Sequence, residues 1–115
     1  ILNRKGVPMR KMRIKCPYYD AIMSGKKTLE VRVGYNSIKR LKAGELLQLE
    51  TGHMSGVVRI KSIRIYRSFA DMLAAEPWQQ IVPQAESKRE ALRLLRKIYP
   101  DHKESLGVHV IEVQK

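Results

Sequence analysis

Cysteines and long apolar runs are what this sequence most lacks. Cys16 is its only cysteine, which excludes a disulfide within the chain and a zinc site built from several cysteines. A lone thiol is typical of a reducing compartment, so we expect a cytoplasmic protein. No stretch approaches about 18 consecutive apolar residues, so no membrane-spanning helix is expected. Residues 1–15 contain no apolar run before a small-residue cleavage site, so no secretory signal is expected either.

Motifs that hold metals or phosphate are also missing. The three histidines, His53, His102 and His109, do not have the spacing of metal ligands, so we expect no metal and no cofactor. There is no glycine-rich phosphate-binding loop, no internal repeat and no low-complexity tract. A chain of 115 residues without these features forms one domain around one core.

Acidic residues are scarce, and the resulting charge is the most informative part of the composition. Lys and Arg number 23 while Asp and Glu number 11, which gives a net charge of +12 at pH 7. Residues 1–15 carry six of the basic side chains and no acidic one. Such a charge favours RNA or another polyanion as partner, because each neutralised phosphate releases counterions. The alternative is a basic protein whose charge only keeps it soluble.

The N-terminal residues differ in pattern from the rest of the chain. Residues 1–11 are basic, contain Gly6 and Pro8, and show no periodicity, which predicts a flexible arm. The remaining residues, 12–115, are predicted to form the folded domain.

Alternation of apolar and polar residues predicts five strands in this domain. They are Met12–Cys16, Thr28–Val33, Leu46–Glu50, Val57–Tyr66 and Gly107–Val113. Within the fourth, Val58 and Ile60 share one parity and Ile63 and Ile65 the other, so a β-bulge is expected near Lys61–Ser62. A bulge bends its strand, so the sheet is expected to curve.

Helix signals are fewer. Pro17 opens a helical turn, and Ser68 and Ser87 each precede an acidic residue by three positions, as helix N-caps do. The two capped helices are predicted to end near Ala75 and Ile98. Loops are predicted between elements, at Gly34–Leu41 and Glu76–Pro83. Because strands predominate and do not alternate with helices, we predict a mixed α+β fold that is mostly β, a small curved barrel with helices packed at one side.

The segment Gly25–Arg32 holds the most concentrated set of candidate functional side chains. Thr28, Glu30 and Arg32 share one face of the predicted strand, and Lys27 lies at its mouth, where the backbone can turn it. A carboxylate between cations stays ionised and fixes their geometry. A neighbouring lysine can bind phosphate, or act as a general base when desolvated. The alternative is a solvated strand face with weak ion pairs.

This segment resembles the signature of the ASCH domain family, G-x-K-x-x-E-x-R. Gly25, Lys27, Glu30 and Arg32 fill its four places. Other family pieces follow in order: Ile38–Glu45 is similar to an "I…L..GD" turn, Val58–Phe69 to a long strand with "Y.SF", and Ile98–Pro100 and Gly107–Val108 to the closing pieces. The similarity covers residues 12–113, nearly the whole predicted domain.

The resemblance implies a PUA-like fold that binds RNA or a nucleotide in a basic cleft lined by Lys27, Glu30 and Arg32. The full set of candidate ligand contacts is Lys27, Thr28, Glu30, Arg32, Tyr19, Tyr66 and Ser68. Tyrosines can stack on bases, although packing in the core or at its rim is the alternative for them. The oligomeric state is left open.

Enzymatic relatives provide an alternative function. A subgroup with this fold hydrolyses N4-acetylcytidine with a signature Lys, a Thr three residues later and a downstream Glu. Here Glu30 stands in place of that Thr, and neither Glu76 nor Glu86 aligns cleanly. A ribonuclease would use Lys27 and Glu30 as an acid–base pair, so these two are the catalytic candidates if the protein is an enzyme. Either enzyme would be a metal-independent hydrolase of RNA or a modified nucleoside.

Overall fold

The computed structural model, which describes Gly6 and residues 9–115 (of Asp101 the backbone alone), contains a sheet of five strands. The strands are β1 Met9–Arg13, β2 Leu29–Val33, β3 Leu46–Thr51, β4 Met54–Tyr66 and β5 Val108–Gln114. Their order across the sheet is β1-β3-β4-β5-β2. β1 pairs with β3 in parallel, and the other neighbouring strands are antiparallel. The sheet curls into a half-barrel with helices packed at one side, so the predicted mixed α+β fold is confirmed.

The helices are short and occur between strands in the order of the chain. They are α1 Cys16–Met23, α2 Asn36–Lys39, α3 Phe69–Ala75, α4 Trp78–Ile81 and α5 Lys88–Ile98, with a 3-10 helix at Asp101–Leu106. Ser68 and Ser87 cap α3 and α5 as predicted, because each hydroxyl accepts a backbone N–H three residues later. The helical turns α2 and α4 lie in segments predicted as loops, since four residues are too few to show a helical period. Nothing among these helices has the length and apolarity to cross a bilayer.

The first strand lies earlier in the chain than the alternation indicated. β1 spans Met9–Arg13 instead of Met12–Cys16, and Cys16 already belongs to α1. Met12 and Ile14 are both buried as the alternation requires, but a helix with Pro17 in its first turn leaves no room for the strand to continue. The last three residues of the predicted arm therefore lie in β1. Of the other arm residues only Gly6 is described, and flexibility there stays a prediction.

The expected β-bulge is present in β4. Ile60 pairs with Val113 and Ser62 with Glu112, so Lys61 is the extra residue. Ile63, beyond the bulge, packs against the core as expected. Ile65 does not, because it is 63% exposed.

Two groups of buried side chains form the core. One lies between β2, β5 and the helices α3, α4 and α5; the other fills the curled part of the sheet formed by β1, β3 and β4 under α1. β5 supplies Val108 and Val110 to the first group and Ile111 and Val113 to the second. It is therefore buried on both faces, as its continuous apolar sequence predicted.

Candidate functional site

A cavity of about 420 Å³ lies where the two edge strands of the half-barrel, β1 and β2, approach each other. We call it the seam cavity. Arg13 from β1, Glu30 and Arg32 from β2, and Lys27 just before β2 give its wall a polar part. The apolar part is formed by Ile14, Val31, Ile81, Val82, Leu95 and Ile98. Helices α4 and α5 therefore close the side that the sheet leaves open.

Lys27 is the most deeply buried charged group of the site, only 2% exposed. Its backbone N–H binds the carbonyl oxygen of Ala21 in α1 at 3.0 Å, which fixes the turn that leads into β2. Its Nζ donates to the carbonyl oxygens of Leu29 at 2.5 Å and Ile81 at 2.6 Å. Nζ also lies 3.3 Å from Oε1 of Glu30. These three contacts account for the three N–H groups of the ammonium.

Glu30 connects Lys27 to Arg32. Its side chain is 9% exposed, and its Oε2 accepts a hydrogen bond of 2.7 Å from Nε of Arg32. Nη2 of Arg32 donates to the carbonyl oxygen of Arg13 at 2.9 Å, which joins the two edge strands across the seam. A continuous polar chain thus runs from Lys27 through Glu30 and Arg32 to β1.

Desolvation dominates the electrostatics of Lys27. Burial lowers the pKa of its ammonium, and the attraction of Glu30 opposes this shift only in part. In the part of the chain that the structure describes, no buried polar side-chain atom lacks a hydrogen-bond partner. The buried atoms of the polar chain are therefore all hydrogen-bonded, although much of the wall around them is apolar.

The structure brings Lys27, Glu30 and Arg32 together and places the other predicted contacts elsewhere. Oγ1 of Thr28 donates to the side-chain oxygen of Gln80 at 3.1 Å, outside the seam cavity. The other three residues predicted to contact the ligand also lie outside the seam cavity. Tyr19 of α1 is buried in the core, Tyr66 donates its hydroxyl to the carboxylate of Glu76, and Ser68 is the α3 N-cap.

Besides its apolar residues, the seam cavity is lined by four charged or aromatic side chains that did not figure among the predicted contacts: Arg13, Lys15, Tyr18 and Tyr99. Arg13 and Lys15 stand at alternate positions before α1, and this common parity was the signal that could have found them. Tyr18 lies close to the polar chain as well, because Nζ of Lys27 is 5.4 Å from its ring centroid. Burial raises the pKa of the Tyr99 phenol, which keeps it a neutral hydrogen-bonding group.

Glu76 and Glu86, the two downstream glutamates considered for an enzymatic role, do not line the seam cavity. Glu76 instead receives hydrogen bonds from Arg64 and Tyr66, and the backbone N–H of Glu86 binds Glu90. Within residues 9–115, apart from the Asp101 side chain, no three His, Cys, Asp or Glu residues are grouped so as to hold a metal ion.

A curled half-barrel with helices at one side and a polar seam defines a small domain of the PUA-like class, a fold often associated with RNA binding. The model of the ASCH domain matches residues 12–115, nearly the whole chain. The protein therefore belongs to the ASCH domain family, as its signature indicated.

Two solved structures resemble this chain over most of its length. The crystal structure of hypothetical protein PH0355 is 30% identical with a TM-score of 0.83, and the match covers 92% of this chain and 97% of that one. The solution NMR structure of protein PF0455 from Pyrococcus furiosus is also 30% identical, with a TM-score of 0.75 and coverage of 92% and 96%. Among curated proteins none matches the chain.

Proposed function

We propose that the protein binds RNA or a nucleotide in the seam cavity. The observation that carries this proposal is the polar chain Lys27–Glu30–Arg32 in the wall of a largely apolar hollow. Four cationic side chains and one carboxylate line the cavity, an excess of three positive charges. A phosphate is attracted to such a site, and an apolar wall accepts a base.

The contacts of each side chain suggest different roles. Lys27 uses its three N–H groups on protein oxygens, so we assign it to positioning Glu30 rather than to the direct phosphate contact that the sequence suggested. Arg32 uses two of its five N–H groups on Glu30 and on the backbone, and presents the others to a phosphate. Arg13 and Lys15 add charge at the mouth, and Tyr18 offers a ring for stacking.

The proposal is tested by measuring RNA affinity against salt concentration for wild type and two variants, Arg32→Gln and Lys15→Gln. We expect each variant to bind RNA about tenfold more weakly, with a salt slope reduced by about 0.7 for each lost phosphate contact. Lys15 is exposed, so its variant keeps the test valid if loss of the Arg32–Glu30 contact disturbs folding.

The matched control is Arg40→Gln, which removes an exposed arginine at the end of α2 that does not line the cavity. We expect it to bind like wild type. Equal losses in all three variants would mean that net charge alone attracts RNA, and the seam cavity would then have no special role.

One observation favours the hydrolase as a second candidate. Nζ of Lys27, whose pKa burial lowers, lies 3.3 Å from Glu30, an arrangement that can move a proton. Against it, none of the side chains lining the seam cavity is Ser, Thr, Cys or His, and the hydroxyl of Thr28 binds Gln80. Incubation of the protein with N4-acetylcytidine and with labelled RNA distinguishes hydrolysis from binding alone. If wild type forms product and Glu30→Gln does not, the protein is a hydrolase and not a binding protein alone.

A further inference from the structure

A second cavity of about 540 Å³ adjoins the first, between α1 and α5. We call it the side cavity. Lys15, Tyr18 and Ile98 line both cavities. Because the two hollows share this wall, a chain bound in one can continue into the other along the protein surface.

We infer that the ligand of the site is a single strand of RNA rather than a free nucleotide, with one nucleotide in the seam cavity and the next in the side cavity. This inference rests on the function proposed above and extends it to a second subsite. A free nucleotide would fill the seam cavity alone and leave the side cavity unused.

Charge around the side cavity fits a continuing phosphate backbone. Lys15 and Lys97 line it, and no Asp or Glu is among its lining residues. The phosphate that joins two nucleotides crosses the shared wall, where Lys15 lies. Lys97 is exposed and stands on α5 within reach of the following phosphate.

Tyr18 in the shared wall has the properties of a stacking platform. Nζ of Lys27 lies 5.4 Å from its ring centroid, and Nε2 of Gln84 donates to its hydroxyl at 3.0 Å. The two contacts hold the ring between the cavities, so little side-chain entropy is lost when a base stacks on it. Stacking tolerates any base, so we expect little sequence preference at this position.

The outer surface of α5 continues the path beyond the side cavity. Lys97, Arg93 and Arg89 follow one another at intervals of four residues, and all three are exposed. Residues at this spacing are neighbours on one face of a helix. A longer strand can therefore continue along this stripe. Duplex RNA does not suit the two hollows, because its bases are paired and stacked and its major groove is too narrow for side chains.

Chain-length dependence of binding tests the inference. Dissociation constants are measured for uridine monophosphate, the dinucleotide UpU and a uridine hexanucleotide, with wild type, Lys97→Gln and Arg32→Gln. We expect the dinucleotide to bind at least about fivefold more tightly than the monophosphate, because a second base gains a stacking contact. For the hexanucleotide, Lys97→Gln is expected to weaken binding about threefold or more and to lower the salt slope by about 0.7. The same variant should bind the monophosphate like wild type.

Lys88→Gln is the matched control. Lys88 is an exposed lysine of the same helix, nine residues before Lys97, which places it on the opposite side after two and a half turns. We expect it to bind all three ligands like wild type. An equal effect of Lys88→Gln and Lys97→Gln would overturn the second subsite in favour of general attraction to α5.

The remaining outcomes separate this inference from the proposed function. If monophosphate and hexanucleotide bind equally well, and only Arg32→Gln weakens them, the second subsite is wrong and the seam cavity keeps its function. If none of the three ligands binds, the proposed function is wrong and the inference falls with it.

Discussion

Lys27 carries a charge that the fold has removed from water. A buried ammonium loses its hydration, and that loss is offset only where hydrogen bonds and an opposite charge replace the water. Here two carbonyl oxygens and the carboxylate of Glu30 do so. The lowered pKa of Lys27 shows that desolvation still exceeds the attraction of Glu30. Lys27 and Glu30 are thus mutually dependent, because either one alone is a buried charge that lacks a partner.

This dependence predicts non-additive effects on stability. Lys27→Met leaves Glu30 with Arg32 alone and two carbonyl groups without their donor, so we expect a loss of about 3 kcal/mol in the free energy of unfolding. The double variant Lys27→Met with Glu30→Leu removes both buried charges and should be less destabilised than the sum of the single variants. Urea denaturation of the four proteins measures the coupling. Strict additivity would contradict the interaction.

At the scale of elements, an ion-pair network fastens α3 to the sheet. Glu76, immediately after α3, accepts hydrogen bonds from Arg64 of β4 at 2.5 and 2.9 Å and from Tyr66 at 2.6 Å. Arg64 also donates to Glu112 of β5 at 2.9 Å. The guanidinium therefore joins two strands and a helix end, on a part of the molecule that does not line the seam cavity. This explains why Tyr66 is a structural residue here.

The network predicts a specific loss of stability in acid. Hydrogen bonds from Arg64 lower the pKa of Glu76 below its ordinary value of 4.5, and they lower that of Glu112 in the same way. A carboxyl whose pKa is lowered by folding stabilises the protein above its unfolded pKa, and this contribution disappears as the pH falls through the folded pKa. Wild type should therefore exceed Glu76→Gln in stability by about 2 kcal/mol at pH 7.

Below pH 4.5 this difference should shrink, since Glu76 becomes protonated in wild type and the variant has nothing to protonate there. Urea midpoints measured between pH 7 and pH 3 test the expectation. A difference that stays constant over this range would show that Glu76 does not stabilise the fold through its charge.

At the scale of the whole molecule, the strand order creates the site. β1 and β2 are the outermost strands of the sheet, and the curl that the β4 bulge favours brings them near each other. The hydrogen bond from Arg32 to the carbonyl oxygen of Arg13 connects the two strands across this seam. The seam cavity is thus the opening of an incompletely closed barrel, covered by α4 and α5.

Hydrogen exchange should report this architecture directly. Amides of β4 and β5, which pair on both sides, are expected to exchange most slowly, and amides of the edge strand β1 faster. Arg32→Ala removes the hydrogen bond to Arg13, so it should increase the rate of amide exchange in β1 and leave the rates in β4 and β5 unchanged. Arg40→Ala, an exposed change outside the cavity, serves as control. Uniformly faster exchange in every strand would mean that Arg32 supports global stability rather than the seam.

Local sequence signals predicted most of the elements. The caps at Ser68 and Ser87, the bulge at Lys61 and the doubly buried β5 were correct, because each depends on residues close together in the chain. The start of β1 was misplaced and the one-turn helices were missed, since neither leaves a period long enough to read.

By itself, the sequence determined the family through its signature, the curved sheet through the β4 bulge, and the nearness of Lys27, Glu30 and Arg32 through their places in one short segment. Only the tertiary structure decided which other side chains join them. Arg13 meets Arg32 across 19 positions of sequence because the sheet curls, and Ile81 supplies the carbonyl oxygen that binds Lys27 because α4 covers the seam. Contacts between distant segments depend on how the elements pack, and no local pattern encodes them.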